Sequence, residues 1–264
     1  MDFKTICDNT REVAIEAGSF IFSRMNSLSP EDITTKGKHN FVTEVDKAAE
    51  QMIIDRLKTI VPSAGFIAEE GTEVFRGETY NWVIDPLDGT TNFIHGSPPV
   101  AVSIALIENN IPVVGVIYEI WLREMFYAWK GSAAYMNGRE IRVSETVGIK
   151  DSLIATGFPY HNFDRIKAYM DTIDYFFTNT HGVRRIGSAA TDLAYVACGR
   201  YDGFYEYNLS PWDVAAGALI VKQAGGNVAD FKGAEDYLFG REIVASNKNI
   251  FGSFLHDVGR FMNL

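Results

Sequence analysis

The chain has 264 residues, of which 47% are hydrophobic and 22% charged, a composition that excludes an intrinsically disordered protein. Its net charge is −10 and its longest basic cluster is the pair Arg184-Arg185, which argues against nucleic acid as a partner. Nothing resembles a signal peptide or a membrane span, and the distant cysteines Cys7 and Cys198 predict two free thiols, so we expect a cytoplasmic protein without a membrane partner.

The first 150 residues predict an α+β half. Apolar residues at helical spacing indicate amphipathic helices over residues 5–25 and 44–60. Apolar and β-rich runs predict strands at 65–68, 82–84, 100–107, 111–120 and 124–129. A hairpin is expected around Asn137-Gly138, because both residues tolerate the positive φ of a two-residue turn. The strands from residue 100 onward therefore predict an antiparallel meander.

Residues 151–264 predict an α/β half, in which the two element types alternate. Strands are predicted at 152–156, 183–186, 202–207, 227–231 and 243–246. Helices are predicted at 163–178, 188–198, 211–223 and from Asn249 onward. No flexible linker separates the halves, so an extensive interface between them is expected.

The segment from Trp82 to Phe93 carries the strongest chemical signal. A predicted strand ends at Asp85, Asp88 follows three residues later, and Gly89 permits a sharp turn. Two such carboxylates could bind hard cations, while the amides of Gly89 and Thr90 at a helix start favour phosphate. The alternative is structural, with Asp85 as a turn former and Asp88 as a helix cap.

Two further acidic positions support the chemical interpretation. Glu69 follows the predicted strand 65–68, where a metal ligand is favoured, whereas its neighbour Glu70 could equally be surface charge. Asp213 lies in the first turn of a predicted helix after Ser210 and Pro211, a pattern that also forms a capping box. Capping and metal binding are compatible at that position.

Several motifs in order resemble those of the inositol monophosphatase family. The signature segments are Asp85-Pro-Leu-Asp-Gly-Thr-Thr91 and Trp212-Asp-Val-Ala-Ala-Gly217, the latter followed by Ala224-Gly-Gly226. The supporting segments are Asn40-Phe-Val-Thr-Glu-Val-Asp46, Ala68-Glu-Glu70, Gly187-Ser-Ala-Ala190 and Tyr205-Glu206. Together they span nearly the whole chain.

The resemblance implies a layered α-β-α-β-α sandwich of the inositol monophosphatase and fructose-1,6-bisphosphatase type. It also implies a lithium-sensitive homodimer that uses two or three Mg²⁺ ions per site. The implied metal ligands are Glu69, Asp85, the Leu87 carbonyl, Asp88 and Asp213. The implied catalytic residues are Glu69, Thr90 and Asp46. The implied substrate-binding residues are Glu69, Leu87, Asp88, Gly89, Thr90, Gly187, Ser188, Ala189, Glu206 and Asp213.

The implied reaction is hydrolysis of a small polyol phosphate, inositol monophosphate above all, by an activated water without a covalent intermediate. Alternative substrates in the same superfamily are fructose 1,6-bisphosphate, adenosine 3′,5′-bisphosphate and histidinol phosphate. A non-catalytic binding or regulatory protein on this fold is an alternative of another class. Arg184-Arg185 is predicted to be a surface or subunit contact, His95 is given no role, and Lys36 is expected near the metal-bound waters.

Overall fold

The computed structural model of the chain describes residues 1–25, 33–37, 40–72, 75–159 and 162–263. Its helices are α1 (Phe3–Arg24), α2 (Glu44–Ile60), α3 (Thr90–Ile94), α4 (Ile166–Asn179), α5 (Ala189–Ala197), α6 (Pro211–Gln223) and α7 (Phe251–Met262). Its strands are β1 (Ile33–Gly37), β2 (Asn40–Thr43), β3 (Gly65–Ala68), β4 (Tyr80–Asp88), β5 (Ala101–Glu108), β6 (Ile111–Glu119), β7 (Glu124–Trp129), β8 (Ala134–Met136), β9 (Arg139–Ile141), β10 (Leu153–Thr156), β11 (Gly182–Arg184), β12 (Gly203–Tyr207), β13 (Asn227–Ala229) and β14 (Glu242–Ser246). None of the described helices has both the length and the apolar character that spanning a bilayer requires.

A seven-stranded sheet forms from the first half of the chain, in the order β3-β4-β5-β6-β7-β8-β9. β3 and β4 are parallel and every later pair is antiparallel, so the predicted meander is confirmed. Helices α1 and α2 cover one face of this sheet, where Ile21 and Ile53 are buried in one cluster with Trp82 and Val114. Their apolar spacing thus places one stripe of each helix against the sheet.

A five-stranded mixed sheet forms from the second half, in the order β11-β10-β12-β14-β13. β10 is parallel to both β11 and β12, whereas β14 runs antiparallel to β12 and β13. Helices α4 and α7 cover its outer face, with Tyr169, Phe176 and Phe254 fully buried against Tyr205. The predicted alternation of strands and helices in this half is confirmed.

Helices α5 and α6 fill the space between the two sheets. Every residue from Val214 to Val221 is buried, which is typical of a helix enclosed on all sides. The core around these helices includes Ile117 of the first sheet and Phe204 of the second. The layers therefore follow the order α-β-α-β-α, the sandwich that the family resemblance implies. Because α5 and α6 pack against both sheets, the division into 1–150 and 151–264 stays a prediction.

Several boundaries differ from the prediction. β4 continues through Asp88 instead of ending at Asp85, because its pairing with β5 resumes at Asp88 after a bulge. α4 begins at Ile166 rather than at Phe163, since residues 163–165 form a separate turn before it. β1 and β2 were not predicted, because their short polar sequences lack apolar alternation. Cys7 and Cys198 are free thiols, as expected.

Candidate active site

A bulged turn at the end of β4 carries the two signature aspartates. Three steps along β4, from Asp85 to Asp88, face two steps along β5, which bends the strand. The Leu87 N–H donates to the Asp85 carboxylate (2.9 Å), and Gly89 has a left-handed φ of 94°. A Cβ at Gly89 would lie 2.8 Å from the Pro99 carbonyl oxygen, so the turn requires glycine. Asp85 and Asp88 consequently line the same cleft.

Thr90 begins the short helix α3 and connects this turn to α2. Its hydroxyl lies 3.2 Å from Asp46 Oδ1 and 3.1 Å from the Leu87 carbonyl oxygen. Asp46 is buried in the first turn of α2, so the hydrogen bond that the resemblance implies between Asp46 and Thr90 is present. The contact fixes the Thr90 hydroxyl beside the cleft.

Glu69 reaches the site from the end of β3. Its N–H donates to the Ile84 carbonyl (3.2 Å), which extends the parallel pairing of β3 and β4 by one residue. This places the Glu69 carboxyl group within hydrogen-bonding distance of the Asp85 carboxyl group. Two acids that are 16 positions apart in sequence thus meet across neighbouring strand ends.

Asp213 enters the cleft from the first turn of α6. Its carboxylate accepts the Ser210 backbone N–H at 2.6 Å, so the predicted capping contact holds the side chain. The carboxylate also lines the cleft together with Asp85 and Asp88. Capping and a position in the site therefore coexist, as expected from the first turn of a helix.

Burial and mutual repulsion raise the pKa values of these acids. Burial, followed by the charges of Glu69, Asp88 and Asp213, raises the pKa of Asp85 well above its usual value. Burial likewise raises the pKa of Asp88 to about 6, although the Ser188 hydroxyl and the Ala190 N–H, both 2.7 Å from its Oδ2, oppose the shift. Burial and Asp88 raise the pKa of Asp213 to about 7. The cluster favours either protons or bound cations.

The chemistry of the cleft lining suits Mg²⁺. Six carboxyl groups line the cleft against two guanidinium groups, those of Arg185 and Arg241. The donors that the resemblance implies are all oxygens, which hard divalent cations prefer. Among the residues described, no three acidic, His or Cys side chains are arranged as a ready-made ion-binding cluster. The acids line one cleft, but their carboxyl groups do not converge on a single point. Repulsion between buried carboxylates opposes such convergence, and a bound cation would compensate for that repulsion.

The opposite wall of the cleft comes from the second half of the chain. Ser188 caps α5 and donates to Asp88, so residues 100 positions apart join the two halves of the site. The Asn92 side-chain amide donates to the carbonyl oxygens of Pro99 (2.9 Å) and Ile186 (2.8 Å), which fixes the segment leading into Gly187. Glu206 is buried on β12.

Most residues that the sequence singles out meet at this cleft. Those that line it are Glu69, Asp85, Leu87, Asp88, Gly89, Thr90, Gly187, Ser188, Ala189, Glu206 and Asp213. Asp46 supports Thr90 from behind. His95 is exposed at the end of α3, and the side chain of Lys36 lies outside what the structure describes.

Sequence reasoning missed three charged residues of the lining. Arg185, expected only as a surface or subunit contact, is exposed yet lines the cleft with its guanidinium over the Phe158 ring. Arg241, immediately before β14, and Asp192 in α5 also line it. The sequence could have indicated that Asp192 lies near the cleft, because its spacing after Ser188 places it one helical turn from the start of α5.

The chain matches the inositol monophosphatase family model over residues 4–261. It is 43% identical over 247 residues to the Nus factor SuhB of Pseudomonas aeruginosa, covering 92% of this chain and 91% of that protein. It is also 43% identical over 243 residues to the Nus factor SuhB of Salmonella typhimurium, with the same coverage.

Solved structures show the same fold. The extragenic suppressor protein suhB from Bartonella henselae superposes with a TM-score of 0.90 at 38% identity, covering 96% of this chain and 98% of that one. An inositol monophosphatase from Anabaena (Nostoc) sp. superposes with a TM-score of 0.87 at 35% identity, covering 98% and 97%. The resemblance in the motifs is thereby confirmed across the whole chain, and the protein belongs to the inositol monophosphatase family.

Proposed function

We propose that this protein is a Mg²⁺-dependent phosphomonoesterase that hydrolyses a small polyol phosphate, with inositol monophosphate as the leading substrate. One observation carries the proposal. Asp85 is buried, and the charges of Glu69, Asp88 and Asp213 raise its pKa. All four acids line one cleft, and Glu206 lies on the opposite wall. Such a concentration of carboxylates is costly in a folded protein unless cations use it.

The metal side of the cleft has two tasks in this proposal. Glu69, Asp85, Asp88, Asp213 and the Leu87 carbonyl hold two or three ions. When bound, Mg²⁺ lowers the pKa of water and neutralises charge on the phosphate and on the leaving oxygen. Thr90, held by Asp46, and Glu69 orient the attacking water, since their oxygens lie beside the acids.

The substrate side follows from the same cleft. The amides of Gly89 and Thr90 bind phosphate oxygens, and Gly187, Ser188, Ala189 and Glu206 line the space for the alcohol. The cleft has a volume of about 140 Å³, many times the roughly 15 Å³ that one water needs. The cleft therefore has room for more than a single bound water, as a small phosphate ester requires.

The cysteine chemistry supports direct hydrolysis. Neither cysteine belongs to the residues described as lining the cleft. Burial raises the pKa of the Cys7 thiol to about 12, and burial also raises the pKa of Cys198. A neutral thiol is a poor nucleophile, so a cysteinyl-phosphate route is disfavoured.

The test is phosphate release from myo-inositol 1-phosphate with and without Mg²⁺. We expect turnover only with Mg²⁺, inhibition by lithium, and weaker activity on fructose 1,6-bisphosphate, adenosine 3′,5′-bisphosphate and histidinol phosphate. Asp88→Asn should lose turnover and keep its fold by circular dichroism. Wild-type turnover in Asp88→Asn would contradict the proposed site.

A second function is favoured by the names of the similar proteins. Relatives at 43% identity are called Nus factors, a name that denotes a factor and not a phosphatase. This name supports the alternative that the chain is a binding or regulatory protein that acts by contacting other macromolecules. Asp88→Asn separates the two functions, because it should remove phosphate release while leaving contacts made elsewhere on the surface unchanged.

The family also motivates a homodimer as the assembly. Sedimentation equilibrium should give twice the chain mass of 29.4 kDa. A species at the chain mass over the whole concentration range would contradict this part of the proposal.

A further inference from the structure

Asp192 is a buried acid in the cleft without a role in the proposed chemistry. It lies in the first turn of α5, is 1% exposed, and belongs to the cleft lining. Its Oδ1 is buried and has no hydrogen-bond partner within the part of the chain that the structure describes. A buried carboxyl oxygen without a partner costs stability, and the cleft that Asp192 lines is where a ligand could supply the missing contact.

The surroundings of Asp192 define the kind of contact. Burial raises its pKa well above the usual range, the charges of Glu206 and Asp88 raise it further, and Arg185 opposes them. Arg185 acts in the same way on Glu206. The two acids and the arginine therefore share one wall of the cleft. A carboxyl group keeps acceptor capacity in either protonation state, so a ligand that provides donors can supply the missing contact.

Glu206 is held beside this wall by close packing. A Cβ at Gly157 would lie 2.1 Å from Glu206 Oε2, so the backbone of residue 157 directly contacts the carboxylate. On the other side, α5 is tied to Asp88 through Ser188 and Ala190, two residues before Asp192. Asp192 thus stands on the segment that connects the proposed metal ligands to the proposed substrate wall.

We propose that Asp192 accepts hydrogen bonds from hydroxyl groups on the alcohol part of the substrate, beside Glu206, and so selects polyol phosphates. The inference rests on the proposed function and names a specificity residue for it. Neutral hydroxyl donors fit better than an ammonium group, because Arg185 already places a positive charge near both acids.

The test compares two esters and two binding probes. kcat and KM are measured for myo-inositol 1-phosphate and for phenyl phosphate, which lacks hydroxyl groups. Equilibrium affinity is measured with the hydrolysis-resistant phosphonate analogue of each. Asp192→Ala should raise KM and weaken binding about tenfold for the inositol compounds, as expected for the loss of one hydrogen bond. kcat should stay within about threefold, and the phenyl compounds should be unaffected within about twofold.

Two further variants control for structural damage. Asp192→Asn keeps the shape and one acceptor, so it should recover part of the inositol affinity. Asp257→Asn replaces a buried acid of α7 that accepts from Tyr175 outside the cleft, and both ester types should bind it as they bind wild type. Equal weakening for inositol and phenyl compounds in Asp192→Ala, or no weakening, would overturn the proposal.

Failure of the proposed function gives a different result. A wild-type protein that binds the inositol phosphonate but releases no phosphate contradicts the phosphatase, while the affinity comparison still decides the role of Asp192. A wild type that binds the inositol analogue no better than the phenyl one overturns the role of Asp192, whether or not phosphate is released.

Discussion

Hydrogen bonds from neighbouring elements hold individual side chains in the cleft. The Thr90 hydroxyl is placed between Asp46 and the Leu87 carbonyl, and Asp88 accepts two short hydrogen bonds from α5. These partners restrict the rotamers of the residues to which we assign water positioning and metal binding. Rigid support of this kind is expected of a catalytic site.

Removing the Thr90 hydroxyl tests its proposed role in orienting the attacking water. Thr90→Val keeps the side-chain shape and removes the hydroxyl, so the attacking water loses a positioning contact. We expect kcat to fall about 100-fold, with KM changed less than about threefold. Steady-state kinetics on myo-inositol 1-phosphate measures both constants.

Thr178→Val is the matched control, because the Thr178 hydroxyl donates only to backbone carbonyls and accepts only from the neighbouring Asn179 amide, at the exposed end of α4. It should retain wild-type kinetics. A kcat for Thr90→Val equal to that of Thr178→Val would remove Thr90 from the mechanism.

The raised pKa of Asp213 predicts a pH dependence of stability in EDTA. Its pKa is about 7 in the native protein against a usual 3.8, so the native state retains a proton that the unfolded chain releases between about pH 4 and 7. The contribution of Asp213 to the free energy of unfolding therefore falls as the pH rises from about 4 to 7. Asp213→Asn lacks the titration and should gain stability relative to wild type between pH 5 and 8, measured by urea unfolding. A difference in unfolding free energy that stays constant with pH would contradict this assignment.

The ends of strands and helices determine where the acidic residues of the cleft lie. β3 and β4 are parallel neighbours, so their ends bring Glu69 and Asp85 together. The N-cap of α5 carries Ser188 to the same cleft, and the first turn of α6 carries Asp213 there. The central helices are fixed by close contact with the first sheet. A Cβ at Gly115 of β6 would lie 2.7 Å from the Ala216 carbonyl oxygen of α6.

Gly115→Ala tests this packing. The added methyl must push α6 away from the sheet, and we expect a loss of about 1–3 kcal/mol in unfolding free energy. Because Asp213 lies on α6, Mg²⁺ affinity should also fall. Gly252→Ala in α7 is the control, since no described atom beyond its chain neighbours and the local helix backbone lies within 4 Å of the added Cβ, and it should be neutral or stabilise by about 0.5–1 kcal/mol. Denaturant unfolding that gives both variants the same stability would show that the sheet and helix can separate without cost.

The whole molecule couples its two halves through the cleft and the buried helices between the sheets. Asp85 and Asp88 belong to the first half, while Asp213 and the hydrogen-bond donors to Asp88 belong to the second. An ion held by acids from both halves would add to the stability of the complete fold, because it binds the native state and not the unfolded chain.

We therefore expect Mg²⁺ to raise the unfolding temperature. At 100 times its dissociation constant, the gain is about 2.7 kcal/mol. Asp85→Asn should reduce the gain, and KCl at matched ionic strength should not reproduce it, as followed by differential scanning calorimetry. Equal gains in wild type and Asp85→Asn would place the ion elsewhere.

The covalent order of residues was sufficient to predict the layered fold, the family and the acids at strand and helix ends. Apolar spacing along a helix or strand and short motifs such as Asp85-Pro-Leu-Asp88 are local properties, so they can be recognised without coordinates. The bulge that extends β4 to Asp88, the position of Arg185 at the cleft and the unpartnered oxygen of Asp192 could not be predicted in this way. Each depends on packing between residues tens of positions apart, as the Ser188–Asp88 contact across 100 positions shows, and such contacts exist only once the two sheets enclose α5 and α6.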